Sequence, residues 1–229
     1  MERWSRLITG GILMVLAGSG CGSEADKDVG SVRPPISRSE SREVVDGALV
    51  IFLGNSLTAG YGLSEGEAFP ALWAAAWAAA GRPVRVVNAG ISGDTTAGGV
   101  ARLGWLLAQE PQVVVIELGA NDGLRGLSLT ETRNNLDAII RQCLEAGARV
   151  LLMGMKIPPS YGAEYSDGFA ALFEDLATTQ GVVLMPFLLA GVAADPELNQ
   201  TDAIHPNAAG HRRLAENVAP YLEEVLTGL

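Results

Sequence analysis

Ala48-Leu49-Val50-Ile51-Phe52-Leu53-Gly54-Asn55-Ser56-Leu57 is an apolar run that stops at a glycine and delivers a serine two residues later. The run scarcely alternates, so it suits a strand covered on both faces, as in a parallel sheet. The same pattern recurs twice. Val84 to Val87 leads into Asn88-Ala89-Gly90, and Val113 to Leu118 leads into Gly119-Ala120-Asn121-Asp122. With two later runs, strands are predicted over 48–54, 84–89, 113–118, 149–155 and 182–187. Helical patterns lie between them near 68–80, 95–108, 130–146 and 168–180, and a last one spans about 207–227. Ser128 with Glu131 opens the third helix as a capping box, and Gly147 closes it. The alternation predicts an α/β fold, a three-layer α/β/α sandwich on a five-stranded parallel sheet with right-handed crossovers. The carboxyl ends of such strands share one rim, where these folds build their sites.

The polar residues on that rim have a chemistry in common. A serine hydroxyl becomes a nucleophile only when a base takes its proton. Alone, Gly54-Asn55-Ser56 is a turn tripeptide, and Thr58 rules out a Gly-x-Ser-x-Gly elbow. The chain has two histidines. His205 stands in Asp202-Ala203-Ile204-His205-Pro206, where Pro206 keeps it out of the following helix. A short bend there brings the Asp202 carboxylate to the imidazole, fixing its tautomer and stabilising the imidazolium formed during attack. His211 lies within the helix beside Arg212 and Arg213 and reads as a surface or packing histidine. For the oxyanion, the N–H groups of Ser56 and Gly90 and the side-chain amide of Asn121 are the candidate donors.

These residues carry a resemblance to the SGNH (GDSL-type) hydrolases. Gly54-Asn55-Ser56-Leu57-Thr58-Ala59-Gly60-Tyr61-Gly62 is similar to the first block of that family. Asn88-Ala89-Gly90-Ile91-Ser92-Gly93-Asp94-Thr95-Thr96 is similar to the second, Gly119-Ala120-Asn121-Asp122 to the third, and Asp202-x-x-His205-Pro206 to the fifth. Ile157-Pro158-Pro159-Ser160-Tyr161-Gly162 and Asn121-Asp122-Gly123-Leu124-Arg125-Gly126 narrow the likeness to the bacterial arylesterase group that contains thioesterase I/protease I/lysophospholipase. The resemblance implies a flavodoxin-like sandwich, an exported location, no cofactor, and hydrolysis of acyl esters and thioesters. Catalytic roles are then expected for Ser56, Asp202 and His205. Leu124, Ile157 and Tyr161 are the candidate walls of a substrate pocket, and Arg125 reads as a solvated loop arginine. One position departs from the family pattern: the usual Asp before the serine is Asn55, which preserves the loop's hydrogen bonding but not its charge. Glu117, inside an apolar strand, requires a partner that the sequence does not name.

Bulk properties set the surroundings. The chain has 229 residues, 48% of them hydrophobic, and a net charge of −10. The first 45 residues are balanced, with six basic and six acidic, so the whole deficit lies in the remainder. That distribution argues against nucleic-acid binding. Arg3 and Arg6, the apolar Leu7 to Ala17, and Gly18-Ser19-Gly20 before Cys21 form a secretory signal. Cys21 resembles a lipobox cysteine, though Gly18 stands where leucine is usual. Lipidation at Cys21 and membrane attachment are therefore expected. Residues 22–45, with Pro34-Pro35 and five serines, read as a flexible tether, and 46–229 as the hydrolase domain. The one other cysteine, Cys143, falls on an apolar helix face and reads as buried. No Cys/His cluster suggests a metal. Trp73 and Trp77, four apart, read as helix-face packing. Two alternatives to acyl-ester hydrolysis remain at this point. One is an acetyl esterase acting on an acetylated glycan; the other is a non-catalytic lipoprotein scaffold.

Overall fold

The computed structural model describes residues 47–229. The signal segment, Cys21 and the tether lie outside the described residues.

Five strands form one parallel sheet in the order β2-β1-β3-β4-β5. They are β1 (Leu49–Gly54), β2 (Arg85–Gly90), β3 (Val113–Glu117), β4 (Arg149–Met153) and β5 (Val183–Met185). Every residue of β1 and β3 is buried, which accounts for their lack of alternation. The longer helices are α2 (Phe69–Ala79), α3 (Thr96–Leu107), α5 (Leu129–Glu145), α6 (Ala163–Gln180) and α7 (Ala208–Leu226). Helix α2 packs on α7, while α3 packs on α5 and α5 on α6, giving the two outer layers. The strand order explains the split. The chain steps from β1 to one side, then returns past it to β3 and onward, so right-handed crossovers place the corresponding helices on opposite faces. The connections that leave the carboxyl ends of β1 and β3 therefore run to opposite faces, which makes this the topological switch point of the sheet.

Core positions follow the sequence reading. Cys143 is fully buried, and burial pushes its thiol up to about 12. Trp73 is buried against Phe52, whereas Trp77 is half-buried under the Arg82 guanidinium, 3.9 Å from its ring centre. Ser128 caps α5 by accepting from Glu131 N, and Gly147, at φ 82°, ends the helix in the left-handed region. Helix α6 begins at Ala163, five residues before the apolar pattern becomes legible, because Gly162 at φ 92° turns the chain there. Two short helices, α1 (Ser56–Ala59) and α4 (Ala120–Leu124), escape sequence reading, being too short to show a period.

Candidate active site

The site grows from three strand ends and one loop. In register, Gly54 at the end of β1 lies between Gly90 of β2 and Glu117 of β3. Asn55 follows, and its side chain accepts from Leu57 N at 2.9 Å, capping α1. Ser56 is thus the first residue of a helix whose start is fixed by the residue before it.

The loop between β5 and α7 brings Asp202 and His205. Asp202 Oδ1 accepts from Ile204 N at 2.9 Å and His205 N at 3.0 Å, folding the chain back on itself. Ala203 takes a positive φ of 58° in the process. Asp202 Oδ2 is left facing His205 Nδ1 at 2.7 Å, and His205 Nε2 lies 3.0 Å from Ser56 Oγ. Hydrogen bonds from the His205 main chain and ring, then from Ile204 N, hold the Asp202 carboxyl at about 2. It is therefore ionised at any working pH. Tyr61 lies over the imidazole with ring centres 4.5 Å apart. Pro206 ends the loop, and Asn207 caps α7 by accepting from Ala209 N and Gly210 N. The structure thus brings Ser56, His205 and Asp202 into one hydrogen-bonded chain.

Asn121 lies in the first turn of α4, and its Nδ2 donates to Asp94 O at 2.8 Å. An amide nitrogen carries a second hydrogen, so one donor remains for a ligand. The loop that orients it is tied down by Arg102, which sequence reading missed. Its guanidinium pairs with Asp94 Oδ2 at 2.8 Å and donates to Ala89 O at 2.6 Å and Gly54 O at 3.0 Å. No local pattern marks Arg102; only its place one helix turn beyond Gly98-Gly99 sets it near the rim. Arg125 is exposed, as read from the sequence, and also donates to Gly93 O at 2.8 Å.

Gly90 requires correction. Successive N–H groups of a strand point to opposite sides, and Ile91 N donates to Gly54 O on β1. The Gly90 N–H therefore points away from β1 and is donated to Asn88 Oδ1 at 3.0 Å. A Cβ at Gly90 would lie 2.2 Å from Ala59 N, so glycine is needed there for close approach of α1. The left-handed glycine of this loop is Gly93, at φ 80°. Ile157 is the least exposed of the three candidate pocket residues. It is 6% exposed and packs against Gly123 in the core, whereas Leu124 and Tyr161 are exposed and joined by Tyr161 Oη donating to Leu124 O at 2.9 Å.

His211 is a buried packing residue, its Nδ1 accepting from Phe69 N at 3.1 Å. Burial lowers it to about 4, while burial raises Glu117 to about 7. The two shifts act on stability in opposite directions. For His211 the folded value lies below the unfolded one, so its contribution is complete above its ordinary value and is lost as pH falls through about 4. For Glu117 the folded value lies above, so its contribution is complete below the ordinary carboxylate range and is lost as pH rises through about 7. Each amounts to about 3 kcal/mol, so the two offset one another over this range. With either group removed, the slope of the other should appear. Thermal melts should show Tm of His211→Gln falling as pH rises from acid to neutral, and Tm of Glu117→Gln rising. Parallel slopes in the two variants would refute this account.

The fold and this rim define a class. The sequence pattern of the GDSL-like lipase/acylhydrolase family matches residues 52–213. The chain belongs to that family and is a hydrolase of ester bonds. It is 43% identical to esterase TesA of Pseudomonas aeruginosa over 178 residues, covering 77% of this chain and 89% of that protein. It is 40% identical to thioesterase 1/protease 1/lysophospholipase L1 of Escherichia coli over 178 residues, covering 77% and 84%. The crystal structure of the psychrotrophic esterase EstA from Pseudoalteromonas sp., inhibited by monoethylphosphonate, superposes with a TM-score of 0.76 at 35% identity. That match covers 79% of this chain and all of EstA.

Proposed function

We propose that this chain hydrolyses carboxylic esters and thioesters of acyl chains through an acyl-enzyme on Ser56. The observation that carries the reading is the unbroken relay from Ser56 Oγ through His205 to Asp202, at 3.0 and 2.7 Å. His205 Nε2 takes the Ser56 proton as Oγ bonds to the acyl carbon, and the Nδ1–H donated to Asp202 keeps the tautomer that makes Nε2 the acceptor. The carbonyl oxygen becomes an oxyanion. Ser56 N, the free hydrogen of Asn121 Nδ2 and Gly93 N are its donors, with Gly93 taking the place assigned to Gly90 by sequence. As the tetrahedral adduct collapses, the bond to the leaving oxygen or sulfur breaks and His205 returns its proton there. Water, activated by His205 in turn, attacks the acyl carbon and releases the acid with Ser56 restored.

The names of the relatives support an acyl substrate, and the exposed Leu124 and Tyr161 beside Asn121 offer apolar contact for its chain. We also place the domain outside the cytoplasm, attached through lipid on Cys21, from the signal segment of the sequence. Two measurements test this. A fluorophosphonate should label wild-type protein at Ser56 alone, and radiolabelled fatty acid should enter wild type but not Cys21→Ser. Labelling at another serine, or no incorporation into wild type, overturns the corresponding part. Acyl-length profiling on chromogenic esters then separates long-chain hydrolysis from acetyl hydrolysis.

A further inference from the structure

Glu117 ends the central strand β3 with no exposed surface, yet it is a carboxylic acid in an apolar core. Such a group is costly to bury unless it is satisfied, and here it is satisfied by one turn of chain. Oε2 accepts from Asn55 N at 3.0 Å, Thr58 N at 3.3 Å and Thr58 Oγ1 at 2.8 Å. Oε1 accepts from Asn55 Nδ2 at 2.8 Å. These donors flank Ser56 on both sides. The same Asn55 side chain turns its Oδ1 to Leu57 N at 2.9 Å and toward Ser56 Oγ at 3.5 Å. Glu117 therefore grips the nucleophile's turn from below and sets the amide that stands beside the nucleophile.

The sign of the arrangement matters as much as its reach. Three of the four partners are N–H groups that only donate, so these bonds favour the carboxylate and oppose the rise that burial imposes. Titratable and charged groups on the adjoining elements are turned elsewhere. On α3, Arg102 binds Gly54 O, Ala89 O and Asp94, and on α4 Asp122 binds Thr96. His205, from the loop before α7, faces Ser56 and Asp202, and His211 of α7 faces Phe69 N. Among the described residues, no cation hydrogen-bonds to Glu117, so its charge depends on these donors. The neutral amide of Asn55 is the one that an aspartate would abolish.

We propose that Glu117, as a carboxylate, is a positioning residue for Ser56, and that the neutral amide of Asn55 permits it to remain ionised beside the nucleophile. The inference rests on Ser56 being the nucleophile. Gaining a proton forces one N–H donor off the carboxyl and loosens the turn. Since burial raises Glu117 to about 7, the relevant range is neutral to mildly acidic.

The test is the pH dependence of kcat and of fluorophosphonate labelling in wild type, Glu117→Gln and Asn55→Asp. Labelling of wild-type Ser56 comes first, because its failure removes the proposed nucleophile rather than this inference. In wild type the acid limb should be steep, since one proton disables the His205 base and a second releases the turn. Glu117→Gln should lose about 10²-fold in kcat with little change in KM, as expected for a misplaced nucleophile, and its acid limb should become a one-proton limb. Asn55→Asp reverses the sign. Two carboxyl groups that close share a proton, and that proton replaces the amide hydrogen as the bridge. The variant should be active while the proton is bound and lose kcat as pH rises, an alkaline limb that wild type lacks. If Glu117→Gln does not fold, the Asn55→Asp profile alone decides. Wild-type labelling rates and limb shapes in the folded variants would overturn the proposal, leaving Glu117 a buried structural acid.

Discussion

Ser56→Ala should abolish ester hydrolysis and fluorophosphonate labelling, with a drop in kcat of about 10⁶-fold, while leaving the fold intact. The hydroxyl is half-buried and its listeners are polar, so its removal opens no core cavity. His205→Ala should be nearly as damaging, and the double variant scarcely worse than either, because base and nucleophile act as a unit. Asp202→Asn should be severe but milder, since Ile204 N and His205 N still bind the remaining oxygen and keep the loop folded. Steady-state kinetics of the three variants, with circular dichroism as the control, check this. Additive losses in the double variant would break the relay.

Asn121→Ala should lower kcat by about 10²–10³-fold with a much smaller change in KM, because the amide meets charge that exists only in the transition state. The bond from Asn121 Nδ2 to Asp94 O makes the effect larger than loss of a free side chain would suggest. That bond fixes the remaining hydrogen in direction before substrate arrives, and preorganised donors are the effective ones. It also couples Asn121 to the Asp94–Arg102 pair. A loss confined to KM would make Asn121 a contact to bound substrate instead.

Legibility in the sequence tracked the range of the interactions. β1 and β3 were plain because burial on both faces leaves an unbroken apolar run. The Asp202–His205 arrangement was plain because it closes within one short turn with Pro206 as its stop. Glu117 announced a need for a partner, but the partners lie on a turn about sixty residues away in sequence. Arg102 gave no signal, since its reach to Gly54 O is a product of how α3 crosses the sheet. Gly90 misled for a different reason. The direction of its N–H depends on which side of an edge strand it faces, and composition does not carry that parity.

Ser56 and His205 are separated by 149 residues of chain, and each comes from an opposite end of the domain. Elongation proceeds at roughly 5–20 residues per second, so the growing polypeptide carries its proposed nucleophile for about 7–30 seconds before the proposed base is made. On the proposed mechanism the serine of the nascent chain is inert throughout that interval. Activity belongs to the finished domain alone, and a fragment released early from the ribosome, even one with a complete β1–β4 sheet, is silent toward esters around it.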